Sequence, residues 1–402
     1  MVDSLSLDGR VARRVTSGSR LKSSGVSDLE PLGLYLHIPF CESICNYCNF
    51  NRGLFDSDLK ARYVDALTTE ITTIGDGAAV DTIYFGGGTP SLLDPDEVER
   101  VLDVCRDVFT VDPLAEVSLE VNPESATMSR LVGWLESGVT RLSFGVQSFR
   151  DSELQRLGRR HTASRAKDAV RAARAAGYAD ISLDLMLWLP GQTAVHCQES
   201  IEALLELDPD HASLYLLELY PNAPLREDML RRGWSLAPDE DAAQMYLDAL
   251  EVTERGGYEQ YEISNVCRPG CQCRHNLKYW RDGEWLGFGC GAHSTRGGAR
   301  WRNLSETNRY IETVTDGRPA ALERRSLSPS ERLGDMLFTG LRLTDGLDLG
   351  SILRHHGVDV MRKYGTELAP SIAEGLLIHE SGRLKLTRQG MLVANEIMET
   401  FV

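Results

Sequence analysis

The stretch "YLHIPFCESICNYCNFN", residues 35–51, contains three of the nine cysteines of the chain and decides how the rest is interpreted. Cys41, Cys45 and Cys48 follow a β-rich run in the spacing CxxxCxxC. A zinc site would need a fourth ligand, and a redox Cys45-x-x-Cys48 pair would leave Cys41 unused. Three thiolates on a 4Fe-4S cluster leave one iron open to another ligand, so the spacing favours a cluster that takes part in chemistry.

The composition sets limits on the class of protein. With 402 residues, 42% of them hydrophobic and 25% charged, we expect a globular protein of two or three domains. No apolar run approaches the roughly 18 residues of a membrane span, and no secretory signal is recognisable, which predicts a cytoplasmic protein without stable membrane insertion. The net charge of −16 disfavours nucleic acid and anionic membranes as partners. An odd number of irregularly spaced cysteines favours reduced thiols and metal ligation over disulfides.

Short β-rich runs alternate with helical patterns from Leu34 onward. The predicted strands are 34–38, 82–85, 117–121, 141–145, 181–187 and 212–219. The predicted helices between them are 58–74, 94–109, 129–136, 164–176 and 194–207. Six such repeats with right-handed crossovers predict an α/β fold, a partial (β/α)6 TIM-like barrel two units short of closure. Chemistry is then expected at the carboxyl ends of the strands.

The pattern divides the chain into four parts. Residues 1–31 are predicted to be poorly ordered, and their four acidic side chains disfavour the alternative of an organelle transit peptide. Residues 32–257 form the predicted barrel, and residues 258–325 a connecting region. Residues 326–402 are predicted to form a mostly helical, winged-helix-like domain that ends in a short hairpin and a helix.

The cysteine spacing on the first loop of such a barrel resembles the radical S-adenosylmethionine (SAM) superfamily. The resemblance implies that the open iron chelates the methionine end of SAM and that an electron from the cluster yields a 5′-deoxyadenosyl radical. The segment "YFGGGTPS", which contains Gly86–Gly88 and Thr89, resembles the loop that binds the SAM amine, where glycines permit close backbone approach.

Polar side chains near the ends of later strands suit the rest of this ligand. Glu120, Gln147 and Asp184 can bind hydroxyls and an ammonium group, and the Arg159 guanidinium suits a carboxylate. Taken singly, each of these is more often a surface or capping residue. Their recurrence across successive units indicates one shared cavity.

A narrower resemblance covers about residues 33–400. The strings "YLHIPFC", "GGGTP", "EVNPE", "RLSFGVQSF" and "LPGQT" are similar to the oxygen-independent coproporphyrinogen III dehydrogenase family and its relative, the HemW-type haem chaperones. His37 belongs to this signature, and Trp188 stands where relatives carry glycine. The resemblance implies that the residues lining the cluster and SAM are Tyr35, Tyr47, Gly87, Gly88, Thr89, Glu120, Gln147, Arg159 and Asp184.

Two features separate the two branches of this family. The dehydrogenases resemble CxxxCxxCxC, whereas Phe50 occupies the position two after Cys48, as in the chaperones. "CRHNLKYW" matches the chaperones' HNxxYW motif, which implies that His275 is linked to haem binding. A neutral imidazole is a common haem ligand, although a lone histidine in a polar loop ordinarily binds nothing. We therefore favour a haem chaperone over a dehydrogenase that makes protoporphyrinogen IX.

Several further predictions complete the interpretation. Cofactors are a 4Fe-4S cluster, SAM and haem; partners are haem-accepting proteins, with a haem donor and a homodimer as further possibilities. Cys267, Cys271, Cys273 and His275 have an acceptable zinc spacing, but ordinary reduced thiols are the default. Radical SAM modification of RNA is disfavoured by the acidic charge.

Overall fold

The computed structural model describes residues 30–402, so the predicted N-terminal segment lies outside the described residues except for its last two positions. Pro31–Val402 forms one compact unit. The predicted boundaries at 257 and 325 therefore remain predictions about organisation within that unit. No helix of the described part is long and apolar enough to cross a membrane.

The strands are numbered in chain order through residues 30–402. They are β1 (Leu32–Ile38), β2 (Phe40–Cys41), β3 (Gly53–Leu54), β4 (Ala79–Gly87), β5 (Thr110–Val121), β6 (Arg141–Gln147), β7 (Asp180–Leu187), β8 (His211–Leu216), β9 (Glu259–Glu262), β10 (Asn265–Cys267), β11 (Trp285–Phe288), β12 (His293–Arg296), β13 (Ala299–Asn303), β14 (Ala321–Ser326), β15 (Leu347–Asp348), β16 (Leu377–Glu380) and β17 (Arg383–Leu386).

The α-helices are numbered in the same way. They are α1 (Ser57–Ile74), α2 (Pro95–Val108), α3 (Met128–Ser137), α4 (Asp151–Arg156), α5 (Ala163–Ala176), α6 (Ala194–Glu206), α7 (Pro224–Arg232), α8 (Asp239–Arg255), α9 (Arg274–Trp280), α10 (Thr307–Thr315), α11 (Pro329–Gly340), α12 (Leu349–His356), α13 (Val360–Ala373), α14 (Arg388–Leu392) and α15 (Ala394–Met398).

The six predicted strands are confirmed as consecutive parallel neighbours, in the order β1-β4-β5-β6-β7-β8. The sheet continues past β8 through β10 and β9, and past β1 through β11 to β14, so it has two free ends and remains open. The predicted partial α/β barrel is thus confirmed. A seventh parallel strand was not predicted: β11 pairs with β1 through Gly33 and Trp285.

Local sequence explains where the helices begin and end. Thr127, Thr162 and Thr193 each accept a hydrogen bond from a backbone N–H of the first turn of α3, α5 and α6. Gly138 and Gly177 end α3 and α5 with φ of 107°, a left-handed conformation that glycine adopts without strain. Each crossover helix therefore fills a fixed interval between two strands.

Alternation along the barrel strands places apolar and polar side chains on opposite faces. Leu34, Leu119, Phe144 and Leu183 are fully buried in the main core, which packs the sheet against its helices. The intervening positions face the barrel interior and are mostly polar. Closed barrels usually fill this interior with branched apolar side chains. Here the polar interior surrounds a cavity.

The C-terminal part has its own apolar core, formed by residues of α11 to α15 and the three-stranded sheet β15-β17-β16. The predicted hairpin is β16 and β17, and the short helices α14 and α15 follow it. The predicted winged-helix-like arrangement is therefore present.

Candidate functional site

The cysteine loop leaves the carboxyl end of β1 and is closed at its base. Phe40 pairs with Gly53 and Cys41 with Leu54, so the loop between them returns to its starting point. Cys41 is buried, and Cys45 and Cys48 are partly exposed. All three line a cavity of about 300 Å³ that opens at this end of the barrel.

Most of the predicted site residues line the same cavity as the three cysteines. They are Tyr47, Gly87, Gly88, Thr89, Glu120, Gln147 and Asp184. Tyr35, Arg159 and His275 do not line it and lie behind its walls. The cavity thus gathers side chains from β4, β5, β6 and β7, as expected from the convergence of parallel strands.

The glycine loop can approach the cysteine loop only because it lacks side chains. A Cβ on Gly88 would lie 2.8 Å from the carbonyl oxygen of Phe40, and Gly87 has a φ of 117°. Thr89 Oγ1 then lies 3.5 Å from Cys41 Sγ and accepts a hydrogen bond from Asn122 at 3.2 Å. The loop and the first cysteine are therefore held in direct contact.

Two half-buried carboxyl groups, those of Glu120 and Asp184, face the cavity. Glu120 accepts hydrogen bonds from the Tyr84 hydroxyl and from the Gly87 amide, each at 3.0 Å. Burial, reinforced by nearby Asp184, raises the pKa of Glu120 to about 7. Burial likewise raises the pKa of Asp184 to about 6, although Ser143 donates to its carboxylate at 3.1 Å. Both groups would ionise more readily beside a bound cation.

Gln147 ends β6 in a left-handed conformation with φ of 69°, which is uncommon for a residue with a side chain. The Tyr215 hydroxyl donates to Gln147 Oε1 at 2.6 Å and fixes the amide. Strain of this kind concentrates at functional positions, where surrounding contacts maintain it.

Arg159 lies behind Cys45 and not at the cavity surface. Its Nη1 is 3.6 Å from Cys45 Sγ, and its Nη2 donates to Asn122 Oδ1 and to the Gly145 carbonyl, both at 2.7 Å. The sequence resemblance implied a contact with the ligand carboxylate. That contact remains a prediction, and in the present arrangement the guanidinium supports a cysteine.

Tyr35 and His37 support the site from beneath. Tyr35 stacks on Tyr84 at a centroid distance of 6.2 Å, and its hydroxyl lies 3.2 Å from His37 Nδ1. His37 Nε2 lies 2.8 Å from the carbonyl oxygen of Asn51, at the end of the cysteine loop. Tyr35 therefore acts on the cavity through Tyr84, which donates to Glu120.

Trp188 adopts φ of 62°, so the backbone at this position is left-handed. This conformation explains why glycine suits the position in relatives. The indole Nε1 donates to the Ala237 carbonyl at 2.8 Å, which anchors the side chain outside the cavity. The departure from the family sequence thus leaves the turn after Asp184 in a glycine-like conformation.

Helix α9 carries the "HNLKYW" sequence and closes the barrel at the end opposite the cysteines. His275 is 1% exposed, and a Cβ on Gly33, near the start of β1, would lie 3.0 Å from its ring. Its Nδ1 lies 2.9 Å from Thr82 Oγ1, and its Nε2 lies 2.8 Å from the Tyr279 hydroxyl. Burial lowers the pKa of His275 to about 3, so the ring is neutral. Asn276 lines the cavity from below.

The alternative zinc set, Cys267, Cys271, Cys273 and His275, is not assembled. Within residues 30–402, no three His, Cys, Asp or Glu side chains converge on a point where one metal ion could bind. Cys273 Sγ instead donates to Glu116 Oε1 at 3.5 Å, and Cys267 lies within β10.

Several cavity residues escaped the sequence analysis. They are Arg52, Tyr84, Asn122, Ser143 and Tyr215. Tyr84, Asn122 and Ser143 lie on or directly after strands that carry identified residues, whereas Tyr215 lies on β8, from which no site residue was predicted. Strict alternation along each strand would have found Tyr84 and Ser143.

Comparison with known proteins agrees with this geometry. The Radical SAM superfamily profile matches residues 35–204, and the HemN C-terminal domain profile matches residues 327–393. The heme chaperone HemW of Bacillus subtilis (strain 168) is 35% identical over 372 residues, which cover 92% of this chain and 98% of the relative. The Escherichia coli (strain K12) heme chaperone HemW is 33% identical, with 93% and 99% covered.

The chain belongs to the HemW family of radical SAM proteins. The mitochondrial radical S-adenosyl methionine domain-containing protein 1 of Mus musculus is also similar, at 34% identity over 92% of this chain and 87% of its own. The solved structure of Escherichia coli coproporphyrinogen III oxidase (HemN), a radical SAM enzyme, superposes with a TM-score of 0.82 over 93% of this chain and 90% of that one. Its identity is 24%, so it shows a shared fold.

Membership of a radical SAM family implies a 4Fe-4S cluster and SAM, and the residues present fit both groups. In a cubane each thiolate binds a different iron, so the three sulfurs need not converge on one point. The adjoining cavity offers carboxylates, an amide and glycine backbone to a cationic amino-acid ligand. When bound, the cluster supplies one-electron chemistry to SAM; the chain's own residues hold, orient and enclose these groups.

Proposed function

We propose that this HemW-family protein is a haem chaperone that binds haem and delivers it to haem-accepting proteins. The observation that carries the proposal is the similarity of almost the whole chain to proteins named heme chaperone HemW, at 33–35% identity for the two described above. Phe50 supports it, since a side chain with no metal-binding group stands 63% exposed at the cavity where the dehydrogenases are expected to carry a fourth cysteine.

In this proposal Cys41, Cys45 and Cys48 hold the 4Fe-4S cluster. The SAM contacts come from the glycine loop and from the strand ends: Tyr47, Gly87, Gly88, Thr89, Glu120, Gln147 and Asp184, with Tyr35 and Arg159 acting from behind. The two carboxylates complement the positive charge of SAM. A haem donor, a homodimer and a location in the cytoplasm belong to the same proposal, as does the absence of a nucleic-acid partner.

Haem ligation by His275 is part of the proposal, and it requires a change from the conformation described here. Both ring nitrogens are engaged within α9 and β4, and the ring is buried. Iron can reach Nε2 only if the contact with Tyr279 breaks, or Nδ1 only if the contact with Thr82 breaks, and in either case the buried ring must become accessible. Haem binding through His275 would therefore be slow and would change the environment of Tyr279 and Trp280.

The test separates the two branches of the family. The protein is reconstituted anaerobically with iron and sulfide and offered haem, and separately coproporphyrinogen III with SAM and a reductant. We expect stoichiometric haem binding, transfer to an apo-haemoprotein and no vinyl product. Repeated turnover to protoporphyrinogen IX would instead establish the dehydrogenase.

Two variants test whether His275 is the residue that binds the haem iron. His275→Ala is expected to weaken haem binding, whereas exposed His379→Ala serves as the matched control and is expected to bind haem normally. Normal haem binding by His275→Ala, with haem binding by the parent protein intact, would remove His275 from the proposal and leave the chaperone function standing.

A further inference from the structure

Arg52 follows the cysteine loop and turns back over it. Its Nη1 donates to the Phe50 carbonyl at 2.8 Å, and its Nη2 donates to the Cys48 carbonyl. The guanidinium therefore bridges the last turn of the loop, beside a cysteine. The Arg52 side chain lines the same cavity as the three thiols.

Within residues 30–402, no carboxylate pairs with the Arg52 guanidinium. Two further arginines lie at this loop: Arg159 contacts Cys45 Sγ at 3.6 Å and donates to Asn122 and the Gly145 carbonyl, and Arg160 pairs with Glu42 at 2.6 Å. Arg52 bonds only to backbone carbonyls in the described part of the chain, and its buried Nε has no partner there. Its charge thus lies beside Cys48, whose carbonyl it binds, at the wall of the cavity that the three thiols line.

A charge in this position has a definite effect on a cluster. Three thiolates and the cubane carry net negative charge, and one-electron reduction makes that charge more negative. A nearby cation stabilises the reduced form more than the oxidised form, so it raises the reduction potential.

We propose that Arg52 is the positioning and charge-compensating residue of the cluster site. It fixes the turn from Cys48 to Phe50 through two carbonyls, and it holds a positive charge beside Cys48 that raises the reduction potential of the cluster.

The test compares Arg52→Gln, Arg52→Lys and the control Arg160→Gln after anaerobic reconstitution. Iron and sulfide are counted, and the reduced cluster is followed by electron paramagnetic resonance during a potentiometric titration with dithionite. Because spins are counted per loaded cluster, incomplete iron uptake does not prevent the comparison.

For Arg52→Gln we expect the ratio of reduced to oxidised cluster at a fixed potential to fall about tenfold, a shift of about 59 mV to more negative values. Arg52→Lys should keep a potential near that of the parent protein. It should lose iron faster to a chelator, because an ammonium group cannot bridge the Cys48 and Phe50 carbonyls with the fork geometry of a guanidinium. Arg160→Gln should match the parent protein.

Two results would overturn the proposal. Arg52→Gln with the parental potential would show that the charge does not act on the cluster. Arg52→Lys with a potential as low as that of Arg52→Gln would show that loop geometry, and not charge, sets the potential.

Discussion

His275 Nε2 lies 2.8 Å from the hydroxyl of Tyr279, one turn further along the same helix. The Thr82 hydroxyl engages its other nitrogen, and burial of the ring favours the neutral imidazole because a buried charge is costly. The histidine of the "HNLKYW" sequence is thus, in this conformation, part of the packing that closes the barrel.

This packing predicts acid sensitivity. The folded-state pKa of His275, about 3, lies below the ordinary value of 6.5, so the unfolded chain takes up a proton that the folded chain refuses. The contribution of this ring to the free energy of unfolding is fully present above pH 6.5. Below that pH it falls by about 1.4 kcal/mol for each pH unit. Urea unfolding at pH 7.5 and 5.5 should show a larger loss for the parent protein than for His275→Gln. Equal losses would contradict the buried neutral ring.

The two cavity carboxyl groups predict pH-dependent SAM binding. Glu120 and Asp184, with pKa values of about 7 and 6, are partly protonated near neutral pH. A bound cation lowers both pKa values, so binding should release protons and strengthen between pH 5.5 and 7.5, by at most about tenfold per unit for each group.

Calorimetric titration with SAM in buffers of different ionisation enthalpy measures this release. Glu120→Gln should release fewer protons and bind with a flatter pH profile. An unchanged number of protons in Glu120→Gln would show that this carboxyl is already ionised.

The glycine loop predicts a steric effect at Gly88. In Gly88→Ala the new Cβ would meet the backbone oxygens of Phe40 and Ile38 at 2.8 and 3.0 Å, and backbone cannot move aside cheaply. We expect a loss of about 1–3 kcal/mol and reduced iron uptake. Gly53→Ala is the matched control at the other end of the loop, where no atom lies within 4 Å. Iron content and urea midpoints measure both, and similar values for the two variants would contradict the close approach.

The left-handed backbone at Trp188 predicts that glycine gives a more stable protein than alanine at this position. At φ of 62°, alanine is strained by about 1 kcal/mol while glycine is not. Trp188→Gly should therefore be more stable than Trp188→Ala, the reverse of the usual order within a helix or strand. Both variants lose the indole bond to Ala237, so the comparison isolates the backbone. Denaturant unfolding that ranks alanine above glycine would refute the assignment.

Much of the fold could be predicted from the sequence because each barrel strand has its own alternating pattern. The strand at Ile181–Leu187 was expected and lies at Asp180–Leu187. The strand β11 was missed because Trp285–Phe288 is four residues long and contains a glycine, and its partner β1 lies about 250 residues earlier. Pairing over such a distance is decided by tertiary packing.

Part of the candidate site could likewise be predicted from the sequence, and part of it could not. Motif spacing identified the cysteines, and strand ends identified Glu120 and Asp184. The positions of Arg159 behind Cys45 and of His275 beneath the barrel could not be predicted, because each depends on which segment packs against which. The assigned roles of these residues remain predictions until ligands are bound.

The cysteine loop is held by residues that lie far later in the chain, and this has a consequence for how the protein acquires its iron. Asn51, at the end of that loop, donates to the carbonyls of Cys290 and Ser305, which lie 239 and 254 residues further along the chain. A growing polypeptide emerges at about 5–20 residues per second, so the loop lacks these anchors for many seconds of translation. Iron delivered during that interval would meet thiols that are not yet held in place, which favours metallation after release from the ribosome.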